Sequence, residues 1–190
     1  MNRSPEYIIR QIEATKVIPI YNHVNLDECK RVIEKTYKSG LRVFEFTNRS
    51  ANALKVFSEL LPFVEDEFSE MSLGVGTILN LQQAEAFTKS GAHFLVSPVL
   101  NIDIIHYCLE QQFLYIPGCF TPTEIAQAYN AGIPVVKLFP ASVLTPSFIK
   151  SIKSPMPFVK IIATGGIKED QIQSWLDAGA IGVGVGTGLF

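Results

Sequence analysis

Two charged residues stand inside apolar, strand-like runs of this 190-residue sequence. Glu45 sits in Arg42-Val43-Phe44-Glu45-Phe46-Thr47, and Lys137 sits in Val135-Val136-Lys137-Leu138-Phe139-Pro140. Lysine and glutamate are rarely buried without a partner. An ammonium and a carboxylate near the same ends of buried strands allow two readings. One is an ion pair that fills the interior, with a net effect on stability that can be neutral or unfavourable. The other is a nucleophilic amine beside a carboxylate that moves its protons. Alternation along a strand puts Val43, Glu45 and Thr47 on one side, with Arg49 just beyond, and Phe44 and Phe46 on the other.

Glycine-rich stretches close the last two apolar runs, as Thr164-Gly165-Gly166 and Gly184-Val185-Gly186-Thr187. Glycines let backbone N–H groups approach anionic oxygens closely, and the two threonines offer hydroxyls. The plainer alternative is that they form turns and tight packing. His23, His93 and His106 fall respectively in a loop, at a strand start and within a helix, so they read as structural or surface residues. No His/Asp/Glu set falls at strand ends, so no divalent metal is expected. Cys29, Cys108 and Cys119 lack metal-type spacing and fit a reduced compartment.

The elements that must position these residues alternate. A helix is expected over about Pro5–Ala14, and strand-like runs begin near Val17, Arg42, Ser72, His93, Leu114, Val135, Val159 and Ile181. Helical patterns lie between them, with cap signals at Asn25, Thr121-Pro122-Thr123-Glu124 and Thr145-Pro146. Ser39-Gly40-Leu41, Ser90-Gly91-Ala92, Ala131-Gly132-Ile133 and Ala178-Gly179-Ala180 repeat one helix exit, a glycine just before the next strand. Alternating strands and helices with near-continuous apolar strands imply a parallel sheet covered by helices. Eight such units predict an α/β protein, a (β/α)8 TIM barrel with an N-terminal helix, formed by a single domain over residues 1–190. An open doubly wound sheet is the alternative, but its Gly-x-Gly-x-x-Gly turn is absent. The sequence stops at Phe190, so no eighth outer helix is expected; the N-terminal helix or a neighbouring subunit could cover that flank. Active sites of such barrels lie at the C-terminal ends of the strands, often with a phosphate held after strands seven and eight.

Composition narrows the partners. A net charge of −2 and a pI near 5.9 give no electrostatic case for nucleic acid or an anionic membrane. The apolar runs are too short to span a bilayer and the start lacks a signal peptide's apolar segment, so a cytoplasmic protein is expected.

At these residues the sequence resembles the KDPG/KHG aldolase family over essentially its whole length. Its most specific stretches are Gly40-Leu41-Arg42-Val43-Phe44-Glu45-Phe46-Thr47-Asn48-Arg49 and Val136-Lys137-Leu138-Phe139-Pro140-Ala141. Gly74-Val75-Gly76-Thr77, Ser97-Pro98, Ile116-Pro117-Gly118 and Ala163-Thr164-Gly165-Gly166 follow in the family's order. The resemblance implies that Lys137 is the Schiff-base lysine and Glu45 the general acid/base. It also implies that Arg49 and Thr77 hold the substrate carboxylate and that Pro98 and Phe139 line the pocket. Thr164, Gly165, Gly166, Gly186 and Thr187 would contact the phosphate end. Asn48, Phe46, Thr145 and Thr187 depart from the family's usual residues without removing a catalytic group.

The implied activity is reversible cleavage of a 2-keto-3-deoxy sugar acid. The expected substrates are 2-dehydro-3-deoxy-6-phosphogluconate, giving pyruvate and glyceraldehyde 3-phosphate, and/or 4-hydroxy-2-oxoglutarate, giving pyruvate and glyoxylate. A covalent lysine imine replaces any cofactor or metal, and the expected assembly is a homotrimer. A phosphate-binding TIM-barrel isomerase or synthase without imine chemistry, a keto-acid decarboxylase sharing Lys137, and a non-catalytic barrel scaffold are the alternatives.

Overall fold

The computed structural model describes residues 3–186. Its strands are β1 (Val17–Tyr21), β2 (Val43–Thr47), β3 (Ser72–Gly76), β4 (Phe94–Val96), β5 (Leu114–Ile116), β6 (Gly118–Cys119), β7 (Val135–Leu138), β8 (Lys160–Thr164) and β9 (Gly182–Val185). The helices are α1 (Pro5–Thr15), α2 (Leu26–Lys38), α3 (Ala53–Glu67), α4 (Leu81–Lys89), α5 (Ile102–Glu110), α6 (Pro122–Asn130), α7 (Ser147–Lys153) and α8 (Ile172–Asp177). Every strand pair is parallel, in the order β5-β4-β3-β2-β1-β9-β8-β7-β6. The two ends of that order are halves of one run, so the sheet curls into a nearly closed TIM-type barrel.

The expected fifth strand is thus two short ones. Pro117 has no N–H to give to a ladder and interrupts the run between Ile116 and Gly118. Its carbonyl still accepts from the Lys137 amide at 2.8 Å, which carries the ring of hydrogen bonds across the break.

The period of two along each strand sorts the apolar side chains. Ile18, Val43, Phe94, Val96, Leu114, Ile116, Val135 and Ile162 point into the barrel and form one cluster. Their neighbours, among them Phe44, Phe46, Leu73, Val75, Leu95, Val136, Leu138 and Ile161, face the helices and belong to the larger outer core. Burial on both faces is why these strands read as continuous apolar runs.

The interior cluster also holds Ile8, Ile9 and Ile12 of α1. The N-terminal helix therefore plugs the floor of the barrel instead of covering a flank. Ser4 caps it by accepting from the Tyr7 amide, Pro5 opens it, and Lys16 ends it in the left-handed region at φ 65°. The eighth outer helix, expected to be missing, would fall after β9, where residues 187–190 lie outside the described residues.

The helix exits behave as their sequence predicts. Gly40, Gly91, Gly132 and Gly179 follow their helices with φ between 90° and 104°, a region that a Cβ disfavours. The Thr121–Glu124 capping box is complete at α6. The Thr145-Pro146 start is not a second copy of it. Pro146 caps α7 without a side-chain bond, and the Thr145 hydroxyl pairs with Ser147 Oγ at 2.6 Å.

Candidate active site

Lys137 reaches the barrel interior because it shares a side of β7 with Val135, whose side chain belongs to the inner cluster. Glu45 does so because it shares a side of β2 with Val43. The side chains meet above the apolar floor, with Lys137 Nζ 3.8 Å from Glu45 Oε1 and only 7% and 5% of each side chain exposed. That distance is an ion-pair contact, longer than a direct hydrogen bond. Lys137 Nζ also lies 5.0 Å from the centroid of the Phe139 ring, a cation–π contact. Below the pair are Ile18, Phe94, Val96, Ile116 and Ile162, with almost no free space.

Room for the Glu45 carboxylate comes from β3, which presents Gly76 where another residue would carry a side chain. A Cβ built on Gly76 would lie 1.8 Å from Glu45 Oε1. The Gly74-Val75-Gly76 pattern is legible in the sequence, but its purpose is visible only where the neighbouring strand's carboxylate crosses it.

Above the pair a cavity of about 230 Å³ opens at the C-terminal ends of the strands. Its wall runs from β7 (Lys137, Phe139) through the β8 end (Thr164, Gly165, Gly166) and β9 (Gly184, Gly186). It continues to the β1 end (Ile20, Tyr21, Asn22) and finishes at Thr47 and Arg49 of β2 and the turn after it. Gly165 and Gly166 take φ values of 102° and 72°, so the turn after β8 is one that glycine accepts and other residues resist. The turn packs closely on the lysine motif. A Cβ on Gly165 would lie 2.9 Å from the Phe139 ring, and Ser142 N donates to Gly165 O at 2.8 Å.

The structure brings together most of the residues singled out from sequence. Lys137, Arg49, Phe139, Thr164, Gly165, Gly166 and Gly186 line the cavity, with Glu45 against Lys137 at its base. Arg49 is exposed at the rim. Thr77 and Pro98, just past β3 and β4, are outside the cavity lining. Thr77 adopts φ 64°, an uncommon conformation for a β-branched residue. Pro98 packs its backbone against Gly118, where a Cβ would lie 2.3 Å from the Pro98 carbonyl carbon. Its neighbour Ser97 is fully buried and donates to Ile78 O at 2.7 Å, tying the β3 exit to the β4 exit. Thr187 lies outside the described residues.

Sequence reasoning left out of the site two polar residues that line the cavity, Thr47 and Asn22. Thr47 was already on the inward side of its strand, two places from Glu45. Asn22 is the first residue past β1, and a polar residue just beyond an apolar strand at the catalytic end was the available signal.

The remaining reactive groups are elsewhere. Burial pushes the Cys119 and Cys108 thiols up to about 12, so neither offers a thiolate at neutral pH. His93 immediately precedes β4, at the opposite end of the barrel, and is buried. Among the described residues no group of three His, Cys, Asp or Glu side chains is placed to hold a metal ion. No helix among them is long and apolar enough to cross a membrane. The arrangement suits covalent chemistry on a carbonyl: an amine, a carboxylate beside it, a guanidinium at one rim and glycine turns at the other.

Comparison with known proteins agrees with that chemistry. Residues 8–190 match the family described as KDPG and KHG aldolase. The 2-dehydro-3-deoxy-phosphogluconate aldolase of Treponema pallidum (strain Nichols) is 30% identical over 170 residues, 89% of this chain and 79% of that protein. The 2-dehydro-3-deoxy-6-phosphogalactonate aldolase of Escherichia coli (strain K12) is 28% identical over 176 residues, 92% of this chain and 84% of its own length. Among solved structures, the KDPG aldolase of Legionella pneumophila superposes with a TM-score of 0.83 at 25% identity, covering 94% of this chain and 85% of that one. That crystal captured pyruvate as a covalent carbinolamine intermediate.

Proposed function

The chain belongs to the KDPG and KHG aldolase family and is a lyase; from that premise we propose that Lys137 forms the imine of a class I aldolase and Glu45 moves its protons. The observation that carries this reading is the buried Lys137–Glu45 pair, 3.8 Å apart at the base of a cavity open at the C-terminal ends of the strands.

The Lys137 amine attacks carbon 2 of a 2-keto-3-deoxy acid, and the carbinolamine loses water to give an iminium ion. A base removes the proton of the carbon-4 hydroxyl. The bond between carbons 3 and 4 then breaks, its electron pair passing into the iminium to leave an enamine while the aldehyde departs. Protonation at carbon 3 and hydrolysis release pyruvate and free the lysine. Glu45 is the group close enough to Nζ to relay these protons, a role that contributes about 10²–10⁴-fold. Arg49, with Thr77, binds the carboxylate. Thr164, Gly165, Gly166, Gly186 and Thr187 hold the far end, and Pro98 and Phe139 border the pocket. The substrate is 2-dehydro-3-deoxy-6-phosphogluconate where that end binds phosphate, and 4-hydroxy-2-oxoglutarate where it takes the shorter acid. A phosphate-binding isomerase or synthase is not favoured, because it leaves the buried lysine without a role. The reading extends to a cytoplasmic homotrimer that needs no metal, in keeping with the family resemblance.

The test is to incubate the protein with pyruvate and borohydride and measure intact mass. A reduced pyruvate adduct is expected on the native chain and not on Lys137→Met. An adduct that survives the substitution, or none on either protein, would sink the mechanism.

A further inference from the structure

Asn22 occupies a definite place in the cavity wall. Ile18 and Ile20 point into the barrel from β1, and Asn22 continues that alternation one pleat beyond Ile20. The β1–β2 register pairs Ile20 with Glu45 and Tyr21 with Phe46, so the next step sets Asn22 beside Thr47. Both line the cavity, one level above the Lys137–Glu45 pair. Asn22 Nδ2 lies 3.5 Å from Ser50 Oγ, which draws the carboxamide toward the loop after β2 and leaves its carbonyl oxygen and second N–H for a ligand.

Position along the wall decides what that ligand is. In ring order the lining strands run β7, β8, β9, β1, β2. Arg49 stands at the β2 end, and the Gly165-Gly166 turn after β8 with Gly184 and Gly186 at the β9 end stands at the other, with β1 between them. A substrate anchored at both ends must pass Asn22 with its middle carbons. In a sugar acid those carbons carry hydroxyls, and a carboxamide can donate to and accept from a hydroxyl. It carries no charge, so it gives a second carboxylate no comparable anchor.

We infer that Asn22 is a specificity-determining residue that reads the hydroxyl adjacent to the aldehyde carbon of the acceptor half, the carbon-5 hydroxyl of the assembled acid. It selects 2-hydroxyaldehydes over acceptors that lack this group. The inference rests on the aldolase reading above.

The experiment measures aldol addition with pyruvate as the donor and two acceptors that share a phosphate, glyceraldehyde 3-phosphate and 3-oxopropyl phosphate. They differ in the hydroxyl alone. The native enzyme is expected to favour the hydroxylated acceptor about tenfold in kcat/KM, the size of one net hydrogen bond. Asn22→Leu should bring the ratio close to one while the borohydride-trapped pyruvate adduct still forms. Ser50→Ala, which frees the carboxamide, should lower the ratio in part. A native ratio near one, or an unchanged ratio in Asn22→Leu that still traps pyruvate, overturns the inference alone. Should Asn22→Leu fail to trap pyruvate, Ser50→Ala decides: an unchanged ratio refutes the assignment and a reduced one supports it. No adduct on the native enzyme refutes the aldolase reading, and this inference with it.

Discussion

Gly76 controls where the Glu45 carboxylate can lie. Its φ is outside the left-handed region, so alanine is acceptable to the backbone and only the contact opposes it. A methyl group placed 1.8 Å from Glu45 Oε1 must drive the carboxylate away from Lys137 Nζ. Gly76→Ala is therefore expected to lower kcat by about 10²–10⁴-fold, the range for losing a positioned general acid/base. A double-mutant cycle tests the cause. In a Glu45→Ala background the same substitution should cost little further activity. If the two losses simply multiply, Gly76 acts on something other than the carboxylate.

At the scale of elements, α1 has a role unlike that of the helices that follow it among the described residues. Those cover the outside of the sheet, whereas α1 sends Ile8 and Ile12, both fully buried, into the floor of the barrel. Truncating a buried isoleucine removes its apolar contacts and leaves a cavity, so Ile12→Ala should destabilise the fold by about 2–5 kcal/mol. The floor lies below the Lys137–Glu45 pair, with Ile18, Phe94 and Ile162 between them. Urea melts should show the loss of stability while kcat at low temperature stays near the native value. A large fall in kcat at full stability would mean that the plug also shapes the site.

The stability of the whole molecule should depend on pH through His93. The residue is 1% exposed, and its Nδ1 accepts from the Leu73 amide at 2.9 Å, so Nε2 carries the ring's proton. Glu65 Oε1 is 3.6 Å from Nε2, a contact that favours the charged ring, but it does not outweigh burial and the nearby Arg3 guanidinium. Together these lower the imidazole to about 4 from an ordinary value of 6.5. Between those values the unfolded chain binds a proton that the folded chain refuses. Stability therefore falls as pH drops through this window, by about 2 kcal/mol at pH 5 relative to pH 7. Urea titrations of the native chain and of His93→Gln at both pH values isolate this part from the carboxylates. The substitution should flatten the difference by that amount; an equal pH dependence in both chains would show that His93 does not cause it.

Much of this could be read along the chain because it depends on local chemistry. Helix exits at Gly40, Gly91, Gly132 and Gly179 need a left-handed residue, and the strand runs need apolar side chains on both faces, so both leave marks within a few residues. A lysine inside Val135–Leu138 and a glutamate inside Val43–Thr47 are equally visible, because a charge in a buried strand is anomalous wherever the strand ends up. Closure of the ring decided the rest. Only the fold brings Lys137 and Glu45, ninety-two positions apart in the chain (137 minus 45), to 3.8 Å. Only the packing of β3 against β2 explains Gly76, and only the ring order puts Asn22 between Arg49 and the Gly165-Gly166 turn on the cavity wall. The split of the fifth strand at Pro117 and the plugging of the floor by α1 belong there too, since both depend on partners distant in sequence. Residue type sets what a side chain can do locally; which side chains share a cavity is set by strand register and barrel closure.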